Sequence, residues 1–267
     1  DPGLSMKRII YLMHRWLGII LCLFMAMWFF SGVVMMYVGF YPKLTSAERL
    51  SALPSLDAAS CCAALPEVLA ATGRKDQPKD VRLTTVAGQP RFILNYGKND
   101  LFAVHARTGK RIDVVGQEEA LSAANAFMPT ASAKYDKLLD EEDAWTHSKG
   151  LDAQRPLHRI QMADAASTVL YVSGKTGEVV RDVTGVESSW GWVGGWIHLL
   201  YPFRGGMVDK YWADIVIYIS LVATVLTLLG MLVGIWRWRF SGQFKSGSRT
   251  PYREPWMRWH HIIGLVF

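Results

Sequence analysis

Cysteine is scarce in this 267-residue chain, which has only Cys22, Cys61 and Cys62. Three cysteines cannot build a disulfide framework, and no further metal-binding side chains stand near the vicinal pair. Cys22 reads as a small apolar filler, and Cys61 and Cys62 as two buried thiols on a helix. A glycine-rich dinucleotide loop is also missing. Charge is missing from two long stretches, the 26 residues 16–41 and the 22 residues 215–236. Each exceeds the roughly 18–20 apolar residues that mark a transmembrane helix. A purely soluble protein is excluded. The polar-rich residues between the two stretches, about 170 of them, exclude a pure membrane bundle.

The net charge of +6 would suit a nucleic-acid ligand if it lay on the soluble region. It does not. Residues 1–15 carry +2, residues 42–209 carry −1 and residues 237–258 carry +5. Basic excess beside the spans is the positive-inside pattern. It predicts a cytoplasmic N-terminus, a cytoplasmic basic loop and an external region 42–209. The expected surface partner is the lipid bilayer, and no nucleic acid is expected.

The predicted organisation follows. Residues 1–5 precede Met6 and read as a cloning remnant. Residues 6–41 hold the cytoplasmic start and the first span, an uncleaved signal anchor because its apolar run is too long for a signal peptide. Residues 42–189 form an external α+β domain. Within it, residues 45–73 read as helical with a kink or break at Pro66, followed by strands at 81–86, 91–96, 101–105 and 110–115 and a helix at 117–128. Residues 101–109 (LFAVHARTG) match residues 169–177 (VLYVSGKTG), so a small α+β unit is expected twice. Residues 190–209 are Trp-rich and interfacial. Residues 210–238 are the second span, with Lys210 and Asp214 paired at helical spacing. Residues 239–255 are the basic loop, and residues 256–267 open a third apolar segment. The fold class is therefore an α-helical transmembrane bundle, three spans begun, carrying a two-repeat α+β domain.

Histidines carry the candidate chemistry. His14 lies in HRWLG and His260 in HHIIG, so each has glycine four residues on, at Gly18 and Gly264. Both sit at the cytoplasmic start of an apolar segment, where a histidine is costly without a partner. Residues four apart share a helix face. Glycine there lets a flat macrocycle approach beside an imidazole, and haem iron takes axial histidines. Arg15 and Arg258 are placed to hold propionates. His261 shares the motif but points about 100° from His260. On the external side His198 is a candidate for a second haem, and His158 is a weaker one. The acidic run 140–143 reads as a solvated loop.

Taken together, residues 14–18, 155–158, 170–180, 196–200 and 260–264 resemble the PepSY-associated transmembrane proteins, the iron-regulated inner-membrane proteins of bacterial siderophore systems. The family's siderophore reductases look similar across the first span. The resemblance implies a bacterial inner-membrane location, a fourth transmembrane span after the third, and a periplasmic pair of PepSY units. It implies haem b at two sites, one inner and one outer. It implies reduction of a ferric siderophore, of the hydroxamate type, with release of Fe(II), fed by a separate cytoplasmic or membrane electron donor. The alternatives are a membrane-anchored PepSY binding or regulatory module and a siderophore permease component.

Overall fold

The computed structural model describes residues 5–39, 42–57, 61–97, 99–204 and 206–266. The readings made for residues 1–4, Tyr41 and Gly205 lie outside them. The helices, in chain order, are α1 (Met6–Tyr37), α2 (Ser46–Ala52), α3 (Leu65–Ala71), α4 (Gln117–Phe127), α5 (Gly185–Gly191), α6 (Trp212–Arg237) and α7 (Pro255–Val266). Strands β1 (Asp80–Val86), β2 (Gln89–Gly97), β3 (Asp100–His105) and β4 (Arg111–Ile112) precede α4. Strands β5 (Ala133–Leu139), β6 (Leu157–Met162), β7 (Val169–Ser173) and β8 (Val179–Val183) follow it. The chain divides into two compact units, one of Asp1–Tyr37 with Gly194–Phe267 and one of Val38–Val193.

In the first unit, α1 and the segment Val208–Arg237 are long and apolar enough to cross a membrane. Only 11% of the most apolar window of each is buried against protein, so both present an apolar surface almost all round. That suits lipid and not water. Helix α1 packs on α6, and α6 on α7. Small residues mark the close approaches. A β-carbon at Gly230 would meet His14, one at Gly234 would meet Leu265, and one at Gly32 would meet His198. Glycine at these places lets neighbouring segments touch where any side chain would hold them apart.

The second unit holds two antiparallel meanders of the same order, β1-β2-β3-β4 and β5-β6-β7-β8. A helix precedes each, α3 before the first and α4 before the second. The matched segments 101–109 and 169–177 both run from the third strand of their sheet into the turn after it. Their closing glycines, Gly109 and Gly177, have φ of 65° and 75°, which only glycine adopts freely. The core joins Val86 and Val115 to α4 (Ala120, Ala123, Ala124) and to Ile160, Met162, Leu170 and Val172 of the second sheet. A smaller cluster places Val68 of α3 on Leu94 and Val104 of the first.

The turn between β7 and β8 ties the two sheets together. Its Glu178, 5% exposed, accepts from Arg82 of β1 at 2.6 Å and faces Arg49 of α2 at 3.7 Å. Arg91 of β2, 4% exposed, donates to the Thr176 carbonyl at 2.6 Å and pairs with Glu119.

Several sequence readings are corrected. Residues 45–73 form two short helices, because Leu53 leaves helical geometry just before Pro54. Pro66 starts α3 and does not kink it, since proline fits the first turn, where its missing N–H has no partner to lose. Cys61 and Cys62 lie in the extended stretch before α3 and are joined to each other, not buried as thiols on a helix. The strand expected over 110–115 shrinks to Arg111–Ile112. Asp143 is not part of a solvated loop. Its carboxylate accepts from the Trp145 amide, the Thr146 hydroxyl and the Tyr171 hydroxyl. Lys210 sits 4.7 Å over the Tyr211 ring, not against Asp214.

Candidate functional site

Two histidines are seated on α1 or from it, at different levels. His14, about a quarter of the way along α1, turns its ring onto α6. Its Nδ1 donates to the Leu226 carbonyl at 3.3 Å, and Gly230 supplies the flat place the ring needs. The ring of His260, from α7, lies 6.3 Å from that of His14, with the planes inclined by 30°. The paired motif at the starts of α1 and α7 is therefore also a pair in space.

His198 follows a short π-helical turn, Trp192–Trp196. It packs on α1 at Trp28, Ser31 and Gly32. Its Nδ1 lies 3.2 Å from both the Trp28 carbonyl and the Ser31 hydroxyl. The Trp28 indole donates back to the His198 carbonyl at 2.7 Å. Ser31 is fully buried, and its hydroxyl also donates to the Trp28 carbonyl. From His14 to Ser31 is 17 residues, so the two seats stand roughly 26 Å apart along α1.

A carbonyl only accepts, so Nδ1 of both histidines carries the proton, and Nε2 holds a lone pair. Among the described residues nothing hydrogen-bonds Nε2 of either. Metal-ligating histidines are oriented in this way, with one nitrogen donating to a carbonyl and the other left for the metal. The rings of His14 and His260 are near enough to serve one bound group together. Two neighbouring imidazoles, one of them with Nε2 left unbonded among the described residues, are a donor set that fits haem iron.

His261 and His158 are different. His261 is buried, with Nε2 donating to the Gly234 carbonyl at 2.8 Å and Nδ1 at 2.6 Å from the Thr250 hydroxyl. Trp238 and Tyr252 close edge-on around it. His158 in β6 has Nε2 on the Val115 carbonyl at 2.9 Å and Nδ1 on the Tyr135 hydroxyl at 3.1 Å. Each has both nitrogens engaged by protein. His261 locks the basic loop to α6 and α7, and His158 ties β6 to the segment before α4. Both differ from His14 and His198 for one reason, a second hydrogen-bond partner that spacing alone does not reveal.

The glycines divide as well. Gly264 has open space at its β-carbon position, whereas at Gly18 the Leu226 side chain is 3.9 Å away. The Arg15 guanidinium lies 5.5 Å over Trp16, and Arg258 is exposed on α7.

Sequence reasoning missed Gly230 as the seat of His14, and Trp28, Ser31 and Gly32 as the seat of His198. The signal was small residues inside spans built otherwise from bulky ones. Among the described residues no group of three or more His, Cys, Asp or Glu side chains is placed to hold a bare metal ion.

Two apolar helices of membrane-crossing length, joined to an α+β unit of two four-stranded meanders, define a membrane protein with a water-facing domain. The chain belongs to the family of the PepSY-associated TM region, whose model matches residues 11–267. No curated protein and no solved structure matches the chain.

Proposed function

We propose that this protein is a haem-b-binding electron-transfer protein of the bacterial inner membrane that reduces ferric siderophore in the periplasm and releases Fe(II). The observation that carries the reading is the shared state of His14 and His198. In both, a backbone carbonyl from another segment fixes Nδ1–H and leaves Nε2 as a lone-pair donor. His14 with His260 would hold the inner haem, and His198 the outer one. Arg15 and Arg258 would meet the inner haem's propionates. When bound, haem supplies reversible one-electron chemistry at a potential set by its axial ligands and their hydrogen bonds. In a bilayer the apolar walls of α1 and α6 would keep water from His14 and His198, and the carbonyl contacts keep those two rings from turning. The siderophore's hydroxamate oxygens are hard donors that hold Fe(III) more tightly than Fe(II). One electron delivered to the chelate therefore loosens the iron. The donor of that electron is a separate cytoplasmic or membrane partner, since the chain has no dinucleotide loop.

A second reading, a periplasmic binding module whose spans only anchor it, is favoured by one feature. A cavity of about 390 Å³ opens on the second sheet, lined by Asp143, Trp145, Arg159, Thr184, Ser188 and Trp192 among others. It combines aromatic walls with both signs of charge, as small-molecule sites do.

An absorption spectrum separates the two. Protein purified from cells with ample haem should show a Soret band that shifts on dithionite reduction and returns when ferric hydroxamate siderophore is added. A colourless preparation would leave the binding module standing. A haem protein whose reduced band ignores ferric siderophore would remove the reductase.

A further inference from the structure

The loop between α6 and α7 is more than a topology signal. Residues 239–253 contain four cations, Arg239, Lys245, Arg249 and Arg253, and no acidic residue. A positive-inside label works equally well on a disordered loop. This one is folded. The Arg239 amide donates to the Arg249 carbonyl at 3.0 Å, Phe244 to Ser248 at 2.8 Å and Gly247 to Phe244 at 2.8 Å. Gly242 and Gly247 take φ of 78° and 75°, which makes the tight turns possible. Fully buried Thr250 pins the end of the loop to His261.

The fold shapes an open, surface cavity of about 570 Å³ lined by Arg239, Lys245 and Arg253 with Gln243, Phe244 and Ser246. The Arg239 guanidinium is already oriented there. It stacks 4.1 Å over the Phe244 ring and donates to the Gln243 carbonyl at 2.7 Å. Among the described residues every ion pair lies between residues 49 and 178, so no carboxylate neutralises these three cations. Three convergent cations, a hydroxyl and a preset guanidinium fork match a phosphate group. Phe240, Trp256 and Trp259 are strongly exposed beside the loop, as aromatic side chains are at headgroup level.

We infer that this cavity is a binding site for a phosphate-bearing anion at the membrane end of α6 and α7. The chemistry is the same for an anionic phospholipid headgroup and for a soluble phosphate compound, and it does not depend on the haem reading. The full chain, purified in detergent, would be melted with added phosphatidylglycerol, with phosphatidylcholine and with inorganic pyrophosphate. Stabilisation by phosphatidylglycerol over phosphatidylcholine identifies a lipid site, and stabilisation by pyrophosphate a soluble one. Either effect should fade with rising salt. It should weaken by roughly tenfold or more in apparent affinity in the triple variant R239Q/K245Q/R253Q. The single variant Lys245→Gln, which removes no hydrogen bond described above, should weaken it by roughly fivefold and serves if the triple variant does not fold. No stabilisation by either phosphate compound, or stabilisation that these variants leave unchanged, overturns the inference.

Discussion

The ring of His14 lies so close to the backbone of Gly230 that a β-carbon there would come within 2.8 Å of its Cε1. Alanine normally favours a helix over glycine by about 1 kcal/mol. Here the added methyl has to displace an imidazole pinned through Nδ1 to Leu226, one turn earlier on the same helix. Gly230→Ala should therefore destabilise the purified chain by about 1–3 kcal/mol and turn the His14 ring. Gly264→Ala adds a methyl to open space and should leave the thermal midpoint unchanged or slightly raised. Equal melts for the two variants would mean that His14 is not seated on Gly230.

If the two histidine seats are separate haem sites, they should be lost separately. His14→Ala and His198→Ala should each reduce the Soret absorbance per protein without abolishing it, and the double variant should be colourless. Trp28→Phe removes the indole donor to the His198 carbonyl and leaves the imidazole in place. It should shift the potential of the outer site more than its occupancy, since groups around a ligand tune the metal. Redox titration followed at the Soret band measures both. A His14→Ala spectrum identical to wild type removes the inner assignment.

Much of this arrangement is readable from the residues. Two uncharged runs and a charge split by segment are enough to place the spans, because lipid imposes its demand along contiguous sequence. Strand–turn–strand units are legible for a similar reason, since Gly109 and Gly177 punctuate them locally. The role of each histidine is not legible in this way. His14, His158, His198, His260 and His261 are alike as letters. They part company only through partners far away in the chain: Leu226 for His14, Trp28 for His198, and two acceptors or donors each for His158 and His261. Cys61 and Cys62 lie outside the helices because α2 ends before Pro54 and α3 starts only at Leu65, beside Pro66, a gap that the Ala- and Leu-rich composition does not show.

The contact between the sheets makes a stability prediction. Glu178 is almost fully buried and faces Arg82 and Arg49, and Arg91 is buried between Glu119 and the Thr176 carbonyl. Removing one member of such a cluster leaves an uncompensated buried charge, which costs about 3–5 kcal/mol. Glu178→Ala and Arg91→Ala should each lower stability by an amount of that order. Arg74→Ala removes two ion pairs that are substantially exposed and should cost at most about 1 kcal/mol. Urea unfolding followed by tryptophan fluorescence compares the three. A Glu178→Ala cost no larger than that of Arg74→Ala would show that the turn between β7 and β8 does not hold the sheets together.

Asp182 in β8 gives a pH signature of the opposite sign to that of a paired carboxylate. Burial, with the Glu187 carboxylate next in importance, pushes its pKa up to about 6. Its Oδ1 is buried and has no hydrogen-bond partner among the described residues. A carboxyl group whose folded value lies above its unfolded value near 3.8 prefers to keep its proton in the folded state. Its contribution to stability is complete below about pH 4 and is lost as pH rises through about 6. The full shift would be worth about 3 kcal/mol, and solvent screening of this partly exposed side chain brings that to about 1–2 kcal/mol. Asp182→Asn cannot ionise and keeps a similar shape. Its thermal midpoint should therefore match wild type near pH 4, exceed it increasingly as pH rises to about 6, and keep that lead up to pH 8. Glu48 and Glu187 also act on Asp182, so Glu187→Gln in the wild-type background should flatten part of the same slope. A gap between Asp182→Asn and wild type that stays constant from pH 4 to pH 8 would show that Asp182 titrates as an ordinary surface carboxylate.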